Sequence, residues 1–75
     1  MSEVYLEISQ EYDKDFKIVT EQIRIFEEIY KNKKQKPETK ELAKQILIKL
    51  YKEKDKYARQ SKFYRTLHQK SQIGK

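Results

Sequence analysis

The chain has 75 residues, of which 40% are charged and 36% apolar, with one Gly, one Pro, one His and no Cys. This length predicts one small domain spanning residues 1–75, and the absence of Cys with a single His excludes a disulfide framework and a Cys/His metal site. The scarcity of helix breakers favours long helices, so the predicted fold class is all-α. We expect no cofactor.

The first predicted element is a helix over about residues 3–32. One seam of apolar residues recurs at alternating spacings of four and three, and a second apolar line, formed by Ile18, Ile25 and Ile29, lies beside it. Residues 3–9 also alternate like a strand, but a lone strand has no pairing partner here, so helix is favoured. A short separate helix ending near residues 13–15 is the alternative. The seam consists of Tyr5, Ile8, Tyr12, Phe16, Val19, Ile23, Phe26 and Tyr30.

A lysine-rich turn over residues 31–37 follows, and Pro37 suits the first turn of a second helix, because its missing N–H costs nothing there. This second helix is predicted over about residues 38–70, with a frayed tail over residues 71–75. The apolar stripe of this second helix is narrower than that of helix 1, and Glu53 interrupts the stripe. The stripe runs through Leu42, Ile46, Leu50, Tyr57, Ser61 and Tyr64 towards Leu67 or His68.

Two helices joined by a short turn predict an antiparallel hairpin. The hairpin buries one seam of helix 1 and leaves Ile18, Ile25 and Ile29 facing water. A contiguous apolar patch exposed to water is unfavourable in a small soluble protein. We therefore expect a homodimer that completes a four-helix bundle, with these isoleucines as its oligomer or docking seam.

Charge is distributed unevenly along the chain. Residues 1–30 carry eight acids and three bases, whereas residues 31–75 carry fifteen bases and four acids. No acid follows Asp55, so the end of helix 2 presents concentrated positive charge that would attract a polyanion or an acidic protein surface.

A helical projection places Lys52, Lys56, Arg59 and Lys70 within about 60° of arc, opposite the Leu50–Tyr57–Tyr64 stripe. Phe63 falls among these cations, as expected of a residue that stacks on a base or anchors in a partner's pocket. The alternative interpretation is purely structural: Phe63 packs on Arg59, on helix 1 or on a second subunit. Further candidate binding residues are Lys62, Arg65, Lys33 and Lys34.

No spacing of residues predicts catalysis. The acid pairs lack an apolar neighbourhood that would raise a pKa, the serines lack a His–acid relay, and one Gly cannot form a phosphate-cradling loop. The longest aliphatic run, residues 46–48, is far shorter than a membrane span, and the first residues do not resemble a secretory signal. We expect a cytoplasmic, non-enzymatic protein.

Two functional hypotheses remain. The first is a small binding or regulatory protein that holds nucleic acid, largely through phosphates, on the basic face of helix 2. The second is a protein-binding module, such as a phage- or plasmid-type inhibitor, an antitoxin or a bacteriocin-immunity protein, that docks through the apolar seam of helix 1. Membrane attachment is less favoured, because Glu53, Ser61 and the tyrosines on the stripe of helix 2 face lipid poorly.

Overall fold

The computed structural model describes residues 3–73, with side chains through residue 72, as two helices packed side by side. Helix α1 spans Glu3–Lys31 and helix α2 spans Pro37–Ile73. No strand occurs within residues 3–73, so the all-α class and the two-helix hairpin are confirmed. Since α1 runs through residues 13–15 without a break, the alternative of a separate N-terminal helix is wrong.

The connection between the helices covers residues 32–36 and is a hydrogen-bonded turn. Oδ1 of Asn32 accepts a hydrogen bond from the backbone N–H of Lys34 at 2.9 Å, and the carbonyl of Asn32 accepts one from the N–H of Gln35 at 3.2 Å. An Asn side chain that binds the backbone two residues ahead favours a turn over further helix. This explains why α1 ends at Lys31, one residue before the predicted end.

Pro37 begins α2, at the position where a missing N–H removes no helical hydrogen bond. The other end of α2 differs from the expectation. The helix continues to Ile73, three residues beyond the predicted end at about residue 70. Gly74 and Lys75, which were also predicted to fray, lie outside the described residues.

An aliphatic core holds together the half of the hairpin nearest the turn. Val19 and Ile23 of α1 are buried against Leu47 and Leu50 of α2. Burial of each such side chain stabilises the fold by about 1.5–3 kcal/mol. Further residues pack against this cluster, namely Phe26, Ile46 and Tyr57.

The first turns of α2 are rotated relative to the predicted stripe. Leu42 is 61% exposed, whereas Ala43 and Leu47 are buried. The buried positions 43, 47, 50 and 61, together with the half-buried positions 54 and 57, fit one seam of four- and three-residue steps. Ala43 begins this seam with a side chain small enough for close approach of the helices. In the same phase Lys54, not Glu53, lies towards α1, and its Nζ lies 5.5 Å from the centre of the Phe16 ring.

Tyrosines replace aliphatic residues in the half of the hairpin that contains the N-terminus of α1. Tyr12 stacks on Tyr64 with ring centres 5.9 Å apart, and Tyr5 and Tyr57 continue the ladder at 6.3 Å. Ser9, which was not predicted in the seam, is the most buried residue of this half. Ser9 belongs to the buried seam because it lies four residues after Tyr5 and three before Tyr12. Ile8, which was predicted in the seam, is only half-buried.

Candidate nucleic-acid interface

Ion pairing leaves the basic side of α2 largely uncompensated. With one exception, every ion pair among residues 3–73 joins side chains three or four residues apart on the same helix. The exception joins Arg65 of α2 to Asp13 of α1. The acids of α1 therefore pair mostly with cations of α1, and among residues 3–73 none of them forms an ion pair with a lysine of α2.

The five predicted residues of the basic arc lie on the side of α2 turned away from α1, here called the outer face. All of them are exposed. The face extends for roughly 27 Å, since each helical residue rises about 1.5 Å. One cation is partly compensated, because Arg59 Nη2 lies 2.6 Å from Oδ2 of Asp55. The outer face consists of Lys52, Lys56, Arg59, Phe63 and Lys70.

Phe63 is the aromatic residue of the outer face. Its side chain is 55% exposed, and its ring meets Tyr64 edge-on, with ring centres 5.2 Å apart. Phe63 lines a shallow groove with Arg59 and Gln60. The ring is therefore open to an approaching planar group, with a guanidinium beside it.

Lys62 and Arg65 lie on a different side of α2 from the outer face. They line a groove between the helices together with Phe16 and Ala58. Arg65 Nη2 lies 2.6 Å from Oδ2 of Asp13, whose Oδ1 accepts a hydrogen bond from the buried hydroxyl of Ser61. Arg65 is thus engaged in holding the two helices together.

The turn lysines Lys33 and Lys34 are exposed but distant from the outer face. Pro37, at the start of α2, lies roughly 39 Å along the helix from Phe63. The structure therefore separates the predicted binding residues into three groups: the outer face, the groove beside α1 and the turn.

Tyr51 and Glu27 form a cross-helix contact that was not predicted from the sequence. The Tyr51 hydroxyl donates to Oε1 of Glu27 at 2.6 Å. This hydrogen bond holds the pKa of Glu27 below its ordinary value and raises the pKa of Tyr51. Within α1, hydrogen bonding and charge attraction to Arg24 likewise lower the pKa of Glu21. Sequence spacing alone gave no signal for the Tyr51 contact, because the two residues belong to different helices.

The predicted oligomer or docking seam is open to solvent. Ile18 is 58% exposed and Ile25 43% exposed, while Ile29 is half-buried. Leu42, which was expected to pack on α1, is an additional exposed apolar residue of the same kind.

Two further features bear on function. In the part of the chain that the structure describes, no group of three or more acidic or histidine side chains is placed to hold a metal ion. No helix there combines the length and apolar character that crossing a bilayer requires. The chain matches no protein-family model, no curated protein and no solved structure.

Proposed function

We propose that the chain is a self-associating helical hairpin that binds nucleic acid along the outer face of α2, chiefly through phosphates. One observation carries the proposal: Lys52, Lys56 and Lys70 have no ion-pair partner in residues 3–73. A row of uncompensated cations on a straight helix attracts a polyanion and releases its counterions on contact.

The shape of the outer face favours backbone contact over base reading. Lys52 and Lys56 lie one helical turn apart, so their ammonium groups follow an extended line. Lys binds phosphate as a point charge and supplies little sequence selectivity. Phe63 adds a surface on which an unpaired base can stack, a contact worth about 1–3 kcal/mol that tolerates any base. We therefore propose weak base selectivity and strong salt dependence.

The test is a charge reversal measured over a series of salt concentrations. Lys52→Glu/Lys56→Glu should weaken binding of a short labelled single strand by at least about tenfold, and should reduce the slope of log K against log salt by about 2, because two phosphate contacts are lost. Phe63→Ala should weaken single-strand binding and leave that slope unchanged, because stacking releases no counterions. Fluorescence anisotropy measures both quantities.

The matched control is Lys17→Glu/Lys44→Glu, which changes the net charge equally at two exposed positions off the outer face. It should retain the salt slope of the unmodified chain. If both double variants lose affinity and slope alike, binding depends on total charge and the outer face is not the site. If the unmodified chain binds neither a single strand nor a duplex at low salt, the proposal is wrong.

Exposure of Ile18 and Ile25 favours a second candidate, a protein-binding module that docks through α1. Apolar docking tolerates salt, whereas phosphate binding does not. Ile25→Asp should abolish docking of such a partner and leave the outer face intact. Retention of nucleic-acid binding by Ile25→Asp, with its full salt slope, would assign the two surfaces to separate roles.

A further inference from the structure

The exposed Ile18 and Ile25 of α1 share one side of the hairpin with two apolar residues of α2, the exposed Leu42 and the half-buried Ile46. Ile18 and Glu53 line the same groove between the helices. Residues seven apart on a helix lie on the same face, which places Ile25 with Ile18, and Ile46 with Glu53. A step of four residues adds Ile29 after Ile25 on α1, and Leu42 before Ile46 on α2. The resulting surface, here called the apolar flank, consists of Ile18, Ile25, Ile29, Leu42 and Ile46.

The opposite flank of the hairpin is already closed by polar contacts between the helices. Tyr51 donates to Glu27 there, and Arg65 pairs with Asp13. The Lys54 ammonium lies over Phe16 on the same side. The apolar flank carries no such cross-helix hydrogen bond or ion pair between the residues that the structure describes.

The elongated hairpin exposes more surface than a compact monomer of the same mass. The accessible surface is 6241 Å². A compact monomer of 9.2 kDa exposes roughly 4,900 Å², so the hairpin exposes roughly 1,300 Å² more. A stable interface removes about 800 Å² from each partner. The excess is therefore larger than the area that one stable interface removes from a partner.

Charge on either side of the apolar flank indicates how a second copy would be oriented. Three acids, here called the acidic belt, lie on the side of Ile25 away from the turn, two of them on α1 and one on α2, with Asp15 roughly 15 Å from Ile25 along α1. The lysines of the turn, here called the lysine turn, begin just beyond Lys31, which lies roughly 9 Å from Ile25 in the other direction. The acidic belt consists of Glu11, Asp15 and Glu53. The lysine turn consists of Lys33, Lys34 and Lys36.

A twofold axis through the apolar flank near Ile25, perpendicular to the rod, would lay each acidic belt against the partner's lysine turn. A twofold axis along the rod would instead oppose belt to belt, and like charges facing each other are unfavourable. Within one chain the two groups cannot meet, because roughly 24 Å of helix separates Asp15 from Lys31.

We propose that the apolar flank is the interface with a second copy of this chain, arranged antiparallel about Ile25, and that the lysine turn binds the partner's acidic belt. This rests on the self-association in the proposed function and defines its geometry. The lysine turn thereby serves assembly, whereas phosphate binding falls to the outer face of α2. The interface is isologous, so each charge contact occurs twice.

The absence of cysteine allows a direct test of the orientation. Asp15→Cys and Lys33→Cys chains of different mass are mixed, allowed to exchange subunits and treated with a short bis-maleimide. The antiparallel dimer should give the mixed 15–33 product and little product from either variant alone. A strong 15–15 product would instead demonstrate the belt-to-belt arrangement, and a monomer mass by light scattering without any cross-link would exclude the dimer.

A charge exchange provides the second measurement. Lys33→Glu/Lys34→Glu should weaken dimerisation by at least about tenfold, and adding Asp15→Lys/Glu53→Lys to the same chain should restore it. Since the two groups lie too far apart to pair within one chain, rescue requires contact between chains. Failure of the rescue in variants that keep their helical circular dichroism would overturn the antiparallel arrangement. Lys17→Glu/Lys44→Glu is again the control.

Dimerisation is measured without nucleic acid, so the two proposals can fail independently. A chain that dimerises as described but binds no nucleic acid would disprove the proposed function alone. A chain that binds nucleic acid as a monomer would disprove the dimer, and with it the self-association in the proposed function, but not the nucleic-acid binding.

Discussion

At the scale of single residues, the two buried serines have different roles. The Ser9 hydroxyl donates to the carbonyl of Leu6 in its own helix at 2.8 Å, whereas the Ser61 hydroxyl donates across the interface to Asp13. Removal of the Ser9 hydroxyl takes a donor only from the neutral backbone carbonyl of Leu6, so no charged group loses a hydrogen bond. Removal of the Ser61 hydroxyl takes a donor away from a carboxylate.

We therefore predict losses of stability of different size for the same substitution at the two serines. Ser61→Ala should lower the free energy of unfolding by about 1 kcal/mol, because Asp13 then keeps only Arg65. Ser9→Ala should change it by less than about 0.5 kcal/mol, since Ala is also the better helix former. Urea denaturation at one protein concentration measures both. Equal losses would mean that the Ser61–Asp13 bond does not stabilise the hairpin.

The contact between Tyr51 and Glu27 predicts a specific dependence on pH. The lowered pKa of Glu27 means that its contribution is present above its ordinary pKa and is lost as pH falls through the lowered value. The raised pKa of Tyr51 means that its contribution is present below its ordinary pKa and is lost as pH rises through the raised value. The contact therefore persists across neutral pH and fails at both extremes.

Removal of the Tyr51 hydroxyl should return the carboxyl of Glu27 towards its ordinary behaviour. In Tyr51→Phe the pKa of Glu27 should rise, because its hydrogen-bond donor is gone. Carbon-13 NMR titration of the side-chain carboxyl follows this change. Glu21 provides the internal control, since Arg24 should keep its pKa lowered in the variant. An unmoved titration of Glu27 would show that the hydrogen bond is absent in solution.

At the scale of elements, each helix has one face that holds the hairpin and others that do not. Ile23 is 4% exposed within the aliphatic core, whereas Ile48, on α2, is 49% exposed and lies outside it. Apolar residues of the same type therefore differ in their contribution to the fold, because stability depends on the area removed from water.

A paired truncation tests this assignment of faces. Ile23→Ala should lower the free energy of unfolding by about 2–4 kcal/mol, since it leaves a cavity between the helices. Ile48→Ala should change it by no more than about 0.5 kcal/mol. Both are measured by urea denaturation at a fixed protein concentration, which keeps any association constant. Comparable losses in the two variants would place Ile48 in a buried interface.

At the scale of the whole molecule, the hairpin is a rod whose Cα atoms extend over 59 × 14 × 13 Å, with a Cα radius of gyration of 17.1 Å. A compact domain of this length has a radius of gyration of about 11 Å. A two-helix rod has no interior beyond one seam, so other surfaces remain available for binding. The proposed dimer uses one flank of the rod, and the proposed nucleic-acid site uses the outer face of α2.

The sequence by itself determined the all-α class, the turn before Pro37 and the seam of α1 through Val19 and Ile23. These features follow from local properties, namely spacing at the helical period and the rarity of breakers, and a single chain segment carries them. The outer face of α2 could be derived in the same way, because it requires only angles within one helix.

Only the tertiary structure decided the rotation of α2 and the cross-helix contacts. The large side chain of Leu42 suggested a core position, but the fit of Ala43 and Leu47 against α1 determined which residues are buried. The pairing of Arg65 with Asp13, 52 residues apart, depends on how the two helices align. Such alignment is a property of packing between two surfaces, so neither helix encodes it alone.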